Sequence, residues 1–166
     1  LENLQVIGSE EWCVFKGLGI PAIKARVDSG AKTSSIQATN LKVYNKGNQE
    51  WVKFEVNPLQ ENRSIGITCE ARLVDRRMVK SSSGISEKRL VVKAAVTMGD
   101  ATFDIELTLA NRDTMEFRML LGREAISERY LVNSAANYQI QAFTDEDIDI
   151  KYKPYFKEKT GLKIAL

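Results

Sequence analysis

Apolar and polar positions alternate with a period of two over residues 101–109, where Phe103, Ile105, Leu107 and Leu109 interleave with Thr102, Asp104, Glu106 and Thr108. Successive side chains of a strand point to opposite faces, so this stretch predicts a strand with one wet face. Ile65, Ile67, Cys69, Ala71 and Leu73 repeat the pattern, as do Val52, Phe54 and Val56. One-sided alternation of this kind belongs to antiparallel sheets. Residues 90–96 are more continuously apolar and run into Met98-Gly99-Asp100-Ala101, a turn signal that predicts a hairpin with the following strand. Helical periodicity is sparse, its best stretch being residues 123–129, too short to stand without a sheet to pack on. The pattern predicts a mostly β domain over residues 1–140, a small barrel or sandwich. Beyond it, charge blocks at 144–149 and 151–159 with Pro154 among them predict a charged tail, a linker or docking segment, over residues 141–166.

Composition narrows the chemistry. At 166 residues and 43% hydrophobic content, the chain can bury a full core without metal or disulfide. Twenty-four basic against 22 acidic residues leave a charge of +2, which points away from a dedicated nucleic-acid or membrane-surface protein. The absence of histidine removes Ser-His-Asp and Cys-His nucleophile pairs, the HExxH helix and the usual zinc sites, so acid/base work falls to carboxylates, lysine or tyrosine. Cys13 and Cys69 are far apart, form no CxxC pair and sit in strand-like segments. They predict buried thiols of a reducing compartment in preference to a disulfide, and with no apolar run long enough to cross a bilayer the expected location is the cytoplasm. A start at Leu1, without Met, leads to the expectation of a piece of something longer. No metal or cofactor is expected.

One carboxylate stands out. Asp28-Ser29-Gly30-Ala31 is a tight turn directly after an apolar run, and no second Asp-Ser-Gly or Asp-Thr-Gly occurs in the chain. Taken alone, it reads as an ordinary strand-end turn. Ninety-two residues after Gly30 comes Gly122, in Met119-Leu120-Leu121-Gly122-Arg123. Between the two, the small-residue turn Lys80-Ser81-Ser82-Ser83-Gly84-Ile85 predicts a hairpin tip. Further long motifs lie in the same order: Val6-Ile7-Gly8, Glu11-Trp12, Leu18-Gly19-Ile20-Pro21, Val74-Asp75-Arg76-Arg77 and Glu106-Leu107-Thr108-Leu109-Ala110-Asn111.

Over residues 6–140 this set resembles the RimB-like retropepsin family of bacteria and archaea, which carries the label ATP-dependent zinc protease. The label finds no support in these residues, because zinc would need ligands the chain lacks and there is no GxxxxGK[ST] loop for ATP phosphates. The resemblance implies a retropepsin-like acid-protease barrel with one short C-terminal helix. It implies Asp28 as the catalytic carboxylate, Ser29, Gly30 and Ala31 as its loop, and Ser82, Ser83 and Gly84 as flap tip and substrate contact. Leu121, Gly122 and Arg123 would support the loop, with the Arg123 ion pair of retroviral relatives in question because Lys32 stands where they have an acid.

An aspartic protease needs two carboxylates sharing a proton, and one Asp28 per chain supplies half, so the resemblance implies a homodimer. Arg76, Arg77 and Lys80 read either as a solvated basic face or as a rim for an acidic substrate. Relatives accompany RimK-type ATP-grasp ligases, and residues 162–166 resemble the first strand of such a ligase. The expected function is hydrolysis of peptide, including glutamyl, bonds. The alternative is a non-catalytic peptide-binding module serving the ligase, with neither nucleic acid nor membrane as partner.

Overall fold

The computed structural model describes residues 4–80, 83–111 and 116–160, with side chains up to Phe156 in the last stretch. In chain order the strands are β1 (Gln5–Ile7), β2 (Glu10–Phe15), β3 (Ile20–Val27), β4 (Ser34–Gln37), β5 (Thr39–Lys46), β6 (Gln49–Val56), β7 (Ile67–Lys80), β8 (Ser86–Met98), β9 (Ala101–Ala110), β10 (Met119–Leu121) and β11 (Tyr130–Val132). Two helices, α1 (Arg123–Ile126) and α2 (Asp145–Thr160), complete it, with one 3-10 turn at Lys16–Leu18. The mostly β expectation holds.

Nine strands form one sheet in the order β2-β3-β10-β4-β9-β8-β7-β6-β5, and a further β2–β8 pairing closes the first six into a barrel. Closure works because β8 is 13 residues long: its first part pairs with β7, from Lys80↔Ser86 to Arg72↔Lys93, while its end reaches β2 through Val14↔Thr97. Alternating side chains send Ile67, Cys69, Ala71 and Leu73 of β7 and Val52, Phe54 and Val56 of β6 into a single core with Phe15, Ile23, Leu107 and Met119. The Gly99-Asp100 turn joins β8 to β9 in register Met98↔Ala101, and Gly99 has the positive φ (59°) that such a turn demands. Cys13 and Cys69 are free and buried.

Two elements depart from the pattern reading. On β9 the expected wet face is dry at Thr108, whose hydroxyl turns to the Ser34 carbonyl, because β4 lies alongside β9 with all four of its residues buried. Residues 145–160, read as charged tail, form α2. Thr144 and Asp147 build a reciprocal cap: Asp147 N–H donates to Thr144 Oγ1 at 3.1 Å and Thr144 N–H to Asp147 Oδ2 at 2.9 Å. Tyr152 is fully buried and its hydroxyl donates to the Ala22 carbonyl on β3.

The termini of the barrel are pinned by a buried acid. Glu11 on β2 is fully buried, and its carboxylate accepts the N–H groups of Gly8 (2.7 Å), Gln139 (2.8 Å) and Ile140 (3.2 Å). These bonds hold the start of the chain against residues 136–140, and β1 pairs with β11 in a small parallel sheet, Val6↔Leu131. That sheet exposes Val6, Leu131 and Val132.

Candidate active site

β3 leads into the Asp28 loop and β4 leads out of it, running antiparallel, and they do not pair with each other. β10 lies between them, parallel to β3 (Leu121↔Val27) and antiparallel to β4 (Met119↔Ile36). A strand threaded this way is bonded to both arms of the loop and sets its height. Asp28 N–H donates to the Leu121 carbonyl at 2.9 Å, and one residue earlier Val27 N–H donates to the Ser9 carbonyl at 2.9 Å. Within the loop, Ala31 N–H reaches the Asp28 carbonyl at 3.2 Å, and Gly30 N–H reaches Asp28 Oδ1 at 3.0 Å. The Asp28 side chain is half-exposed, and Ser29 and Gly30 are exposed. Among the described residues no second carboxyl group of the chain hydrogen-bonds to Asp28.

The loop is also clamped from behind. Gly122 N–H donates to Ser34 Oγ at 2.9 Å, Arg123 N–H to the Ala31 carbonyl at 2.7 Å and Glu124 N–H to the Lys32 carbonyl at 3.0 Å. A Cβ on Gly122 would stand 2.6 Å from the Thr33 carbonyl carbon and 2.8 Å from Ser34 N, so only glycine lets the chains come this close. Arg123 does not depend on an acid at position 32. Its Nη1 donates to the Ser29 carbonyl at 2.9 Å, while Lys32 pairs with Glu124 at 3.8 Å on the surface. The sequence does not distinguish Ser34 from its small polar neighbours Thr33 and Ser35; the bond to Gly122 does.

The β7–β8 hairpin carries Ser83 and Gly84 at its tip, both exposed, Gly84 with φ 87°. Ser82 lies outside the described residues, as do residues 162–166. Past Leu73 the burial alternation of β7 stops, and Val74, Met78 and Ile85 are exposed, as expected of a hairpin standing free of the barrel. Two of its basic residues, Arg76 and Arg77, are engaged within the chain. Arg76 donates to both oxygens of Glu50 at 3.2 and 3.0 Å, and Arg77 binds Asp75 at 2.6 Å and Glu106 on β9 at 2.8 Å. Hydrogen bonds from these guanidinium groups hold the Glu50 and Asp75 carboxyls below the ordinary carboxylate range. Lys80 ends β7 opposite Ser86. Among the described residues, no three His, Cys, Asp or Glu side chains gather closely enough to hold a metal ion.

One aspartyl loop, locked by an apolar-apolar-Gly strand threaded between its arms and accompanied by a long hairpin, defines a retropepsin-like barrel. The chain belongs to the RimB-like family, described as retropepsin-like aspartic endopeptidase RimB, whose model matches residues 6–142. It is 48% identical over 165 residues to a probable alpha-L-glutamate ligase of Shewanella pealeana, a match covering 99% of this chain and 36% of that protein. A protein of the same name from Desulfotalea psychrophila is 48% identical over 162 residues, covering 98% and 35% respectively. The chain therefore spans about a third of the length of these relatives. Among solved structures, a Legionella pneumophila protein of unknown function superposes with a TM-score of 0.70 at 25% identity, over 82% of this chain and 98% of the other.

Proposed function

We propose that the protein is an aspartic peptidase whose active site forms when two copies bring their Asp28 loops together. The observation that carries this reading is the state of Asp28: half-exposed, on a loop fixed from both sides, with no second carboxylate bonded to it among the described residues. Across a two-fold axis the two carboxyl groups would share one proton, since like charges so close cannot both ionise. The ionised one takes a proton from water as the water oxygen attacks the scissile carbonyl carbon, and the protonated one donates to the carbonyl oxygen. Val6, Leu131 and Val132 offer an apolar face for the second copy, and Val27 of the Asp loop is bonded to Ser9, just beyond β1. The peptide would lie extended beneath the β7–β8 hairpin.

The relatives' name supports a substrate class. They are named for glutamate ligation, so the peptide proposed here is acidic, with glutamyl bonds, and a RimK-type ligase is the proposed source. Two free buried thiols fit a reducing, cytoplasmic setting, and no described helix is long and apolar enough to cross a membrane.

Replacing Asp28 with Asn decides the matter. Oligoglutamate cleavage by the wild-type protein should rise with protein concentration as dimer forms, and Asp28→Asn should abolish it while still binding the peptide. A wild-type protein that binds but never cleaves such peptides, or that remains monomeric in sedimentation at high concentration, would favour the binding-module reading suggested by the relatives' ligase name.

A further inference from the structure

Behind the Asp28 loop, between α1 and the outward face of β7–β9, lies a cavity of about 510 Å³ whose walls include Arg72, Lys93, Arg129, Asp104, Glu106 and Glu124. Its volume is within the range of ligand pockets. Thr33 and Ser34 form the wall nearest the loop.

The lining holds three basic and three acidic side chains, but two of the acids are paired with cations from outside it. Each of its three carboxylates already faces a cation: Asp104 meets Lys93 at 3.8 Å, Glu106 meets Arg77 at 2.8 Å and Glu124 meets Lys32 at 3.8 Å. The Arg72 side chain has neither a hydrogen bond nor an ion pair among the described residues, although it sits directly across from Lys93 on the neighbouring strand. Like charges directly opposed on one face of an antiparallel pair are unfavourable; here Lys93 is offset by Asp104 and stands opposite Glu106 on its other side, which leaves Arg72 as the unpaired member among the described residues. Arg129 stacks over Phe103 at 4.1 Å and donates to the Ala125 carbonyl at 3.4 Å, without a carboxylate partner among the described residues. That contact fixes the planar guanidinium while leaving other N–H groups to bind an anion.

We infer that this cavity is an exosite in which Arg72 and Arg129, assisted by Lys93, take side-chain carboxylates of an acidic peptide. Thr33 follows Asp28 by five positions, so the cavity wall begins within about 17 Å of the aspartyl turn, the span of five extended residues. An extended decapeptide held in the Asp28 cleft is long enough to span that distance with residues flanking the scissile bond. This deepens the peptidase reading and rests on it only for where the peptide leads. It also relocates the basic substrate contact from Arg76 and Arg77, which are engaged by Glu50, Asp75 and Glu106, to the face behind the loop.

The test titrates labelled decaglutamate against the full chain carrying Asp28→Asn, so that binding is read without cleavage. Adding Arg72→Glu with Arg129→Gln should weaken binding at least tenfold, whereas Lys42→Glu with Lys53→Gln, the same charge change on the β5–β6 hairpin, should shift it less than twofold. Circular dichroism verifies folding, and Arg72→Gln with Lys93→Gln serves if the first pair does not fold. Equal weakening by both pairs, or by neither, overturns the exosite. So does displacement of decaglutamate by millimolar inorganic phosphate that itself loses affinity in the Arg72 variant, which would mark a small-anion site. If wild-type protein cleaves nothing yet the Arg72 pair still loses decaglutamate, the peptidase reading fails and the exosite stands. Cleavage with an unchanged KM in that pair gives the reverse.

Discussion

At Gly122 the backbone is extended (φ −87°, ψ 173°), a conformation open to any residue, so the demand for glycine there is one of space. Gly122→Ala should push Thr33 and Ser34 away from β10 and break the bond to Ser34 Oγ. Overpacking of this kind costs about 1–3 kcal/mol, readable as a lower urea midpoint, and under the proposed peptidase function any Asp28-dependent cleavage should fall further than the folded fraction does. The motif residues Asp28, Gly30 and Gly122 were legible because their types and order are distinctive. The partners of Arg123 were not, because it binds the carbonyls of Ser29 and Gly30, and a carbonyl carries no residue identity. Arg76 and Arg77 show the converse: their charge was plain in the sequence, but Glu50 and Glu106 come beside them only through strand pairing.

Among elements, α2 is where pattern and structure part most. Charge density and Pro154 in residues 145–159 mask a helical spacing that is present: Ile148, Tyr152, Tyr155 and Phe156 recur at i, i+4, i+7 and i+8, behind a Thr144-x-x-Asp147 cap. What stabilises it is tertiary. Tyr152 and Tyr155 donate hydroxyl hydrogens to the carbonyls of Ala22 and Gly19, and Tyr152 is sealed in the core. Tyr152→Ala should cost about 3–5 kcal/mol through the cavity it leaves, and Tyr152→Phe about 1 kcal/mol through one lost hydrogen bond. Thermal melts give both values, and amide exchange along β3 should accelerate in the Ala variant as α2 detaches.

For the whole molecule, burial of two thiols predicts an alkaline limit to stability. Burial, with a smaller contribution from Glu11, pushes the Cys13 thiol from its ordinary 9.0 up to about 12, and burial does the same for Cys69. Burial also raises the phenols of Tyr138 and Tyr152 above 10.0. Because folding favours the protonated forms, this contribution is fully present below pH 9 and is lost as pH rises through the folded values. Each thiol then removes about 1.4 kcal/mol per pH unit. Urea midpoints should be flat from pH 7 to 8.5 and fall by pH 10, and Cys13→Ala with Cys69→Ala should flatten the fall. An unchanged midpoint at pH 10 would mean the thiols are not sealed from solvent in solution.

By itself the sequence determined the strand content, the hairpins and the position of the Asp28, hairpin-tip and Gly122 motifs, because a period of two and the steric needs of turns are local properties of the chain. Tertiary structure decided the rest: that β10 threads between β3 and β4, that Glu11 gathers three backbone N–H groups from both ends of the domain, and that Arg72, Lys93 and Arg129 share one cavity. Apart from the Gly8–Glu11 bond, these are contacts between residues tens of positions apart. Their energies come from backbone pairing, desolvation and charge proximity, which exist only once the barrel has closed.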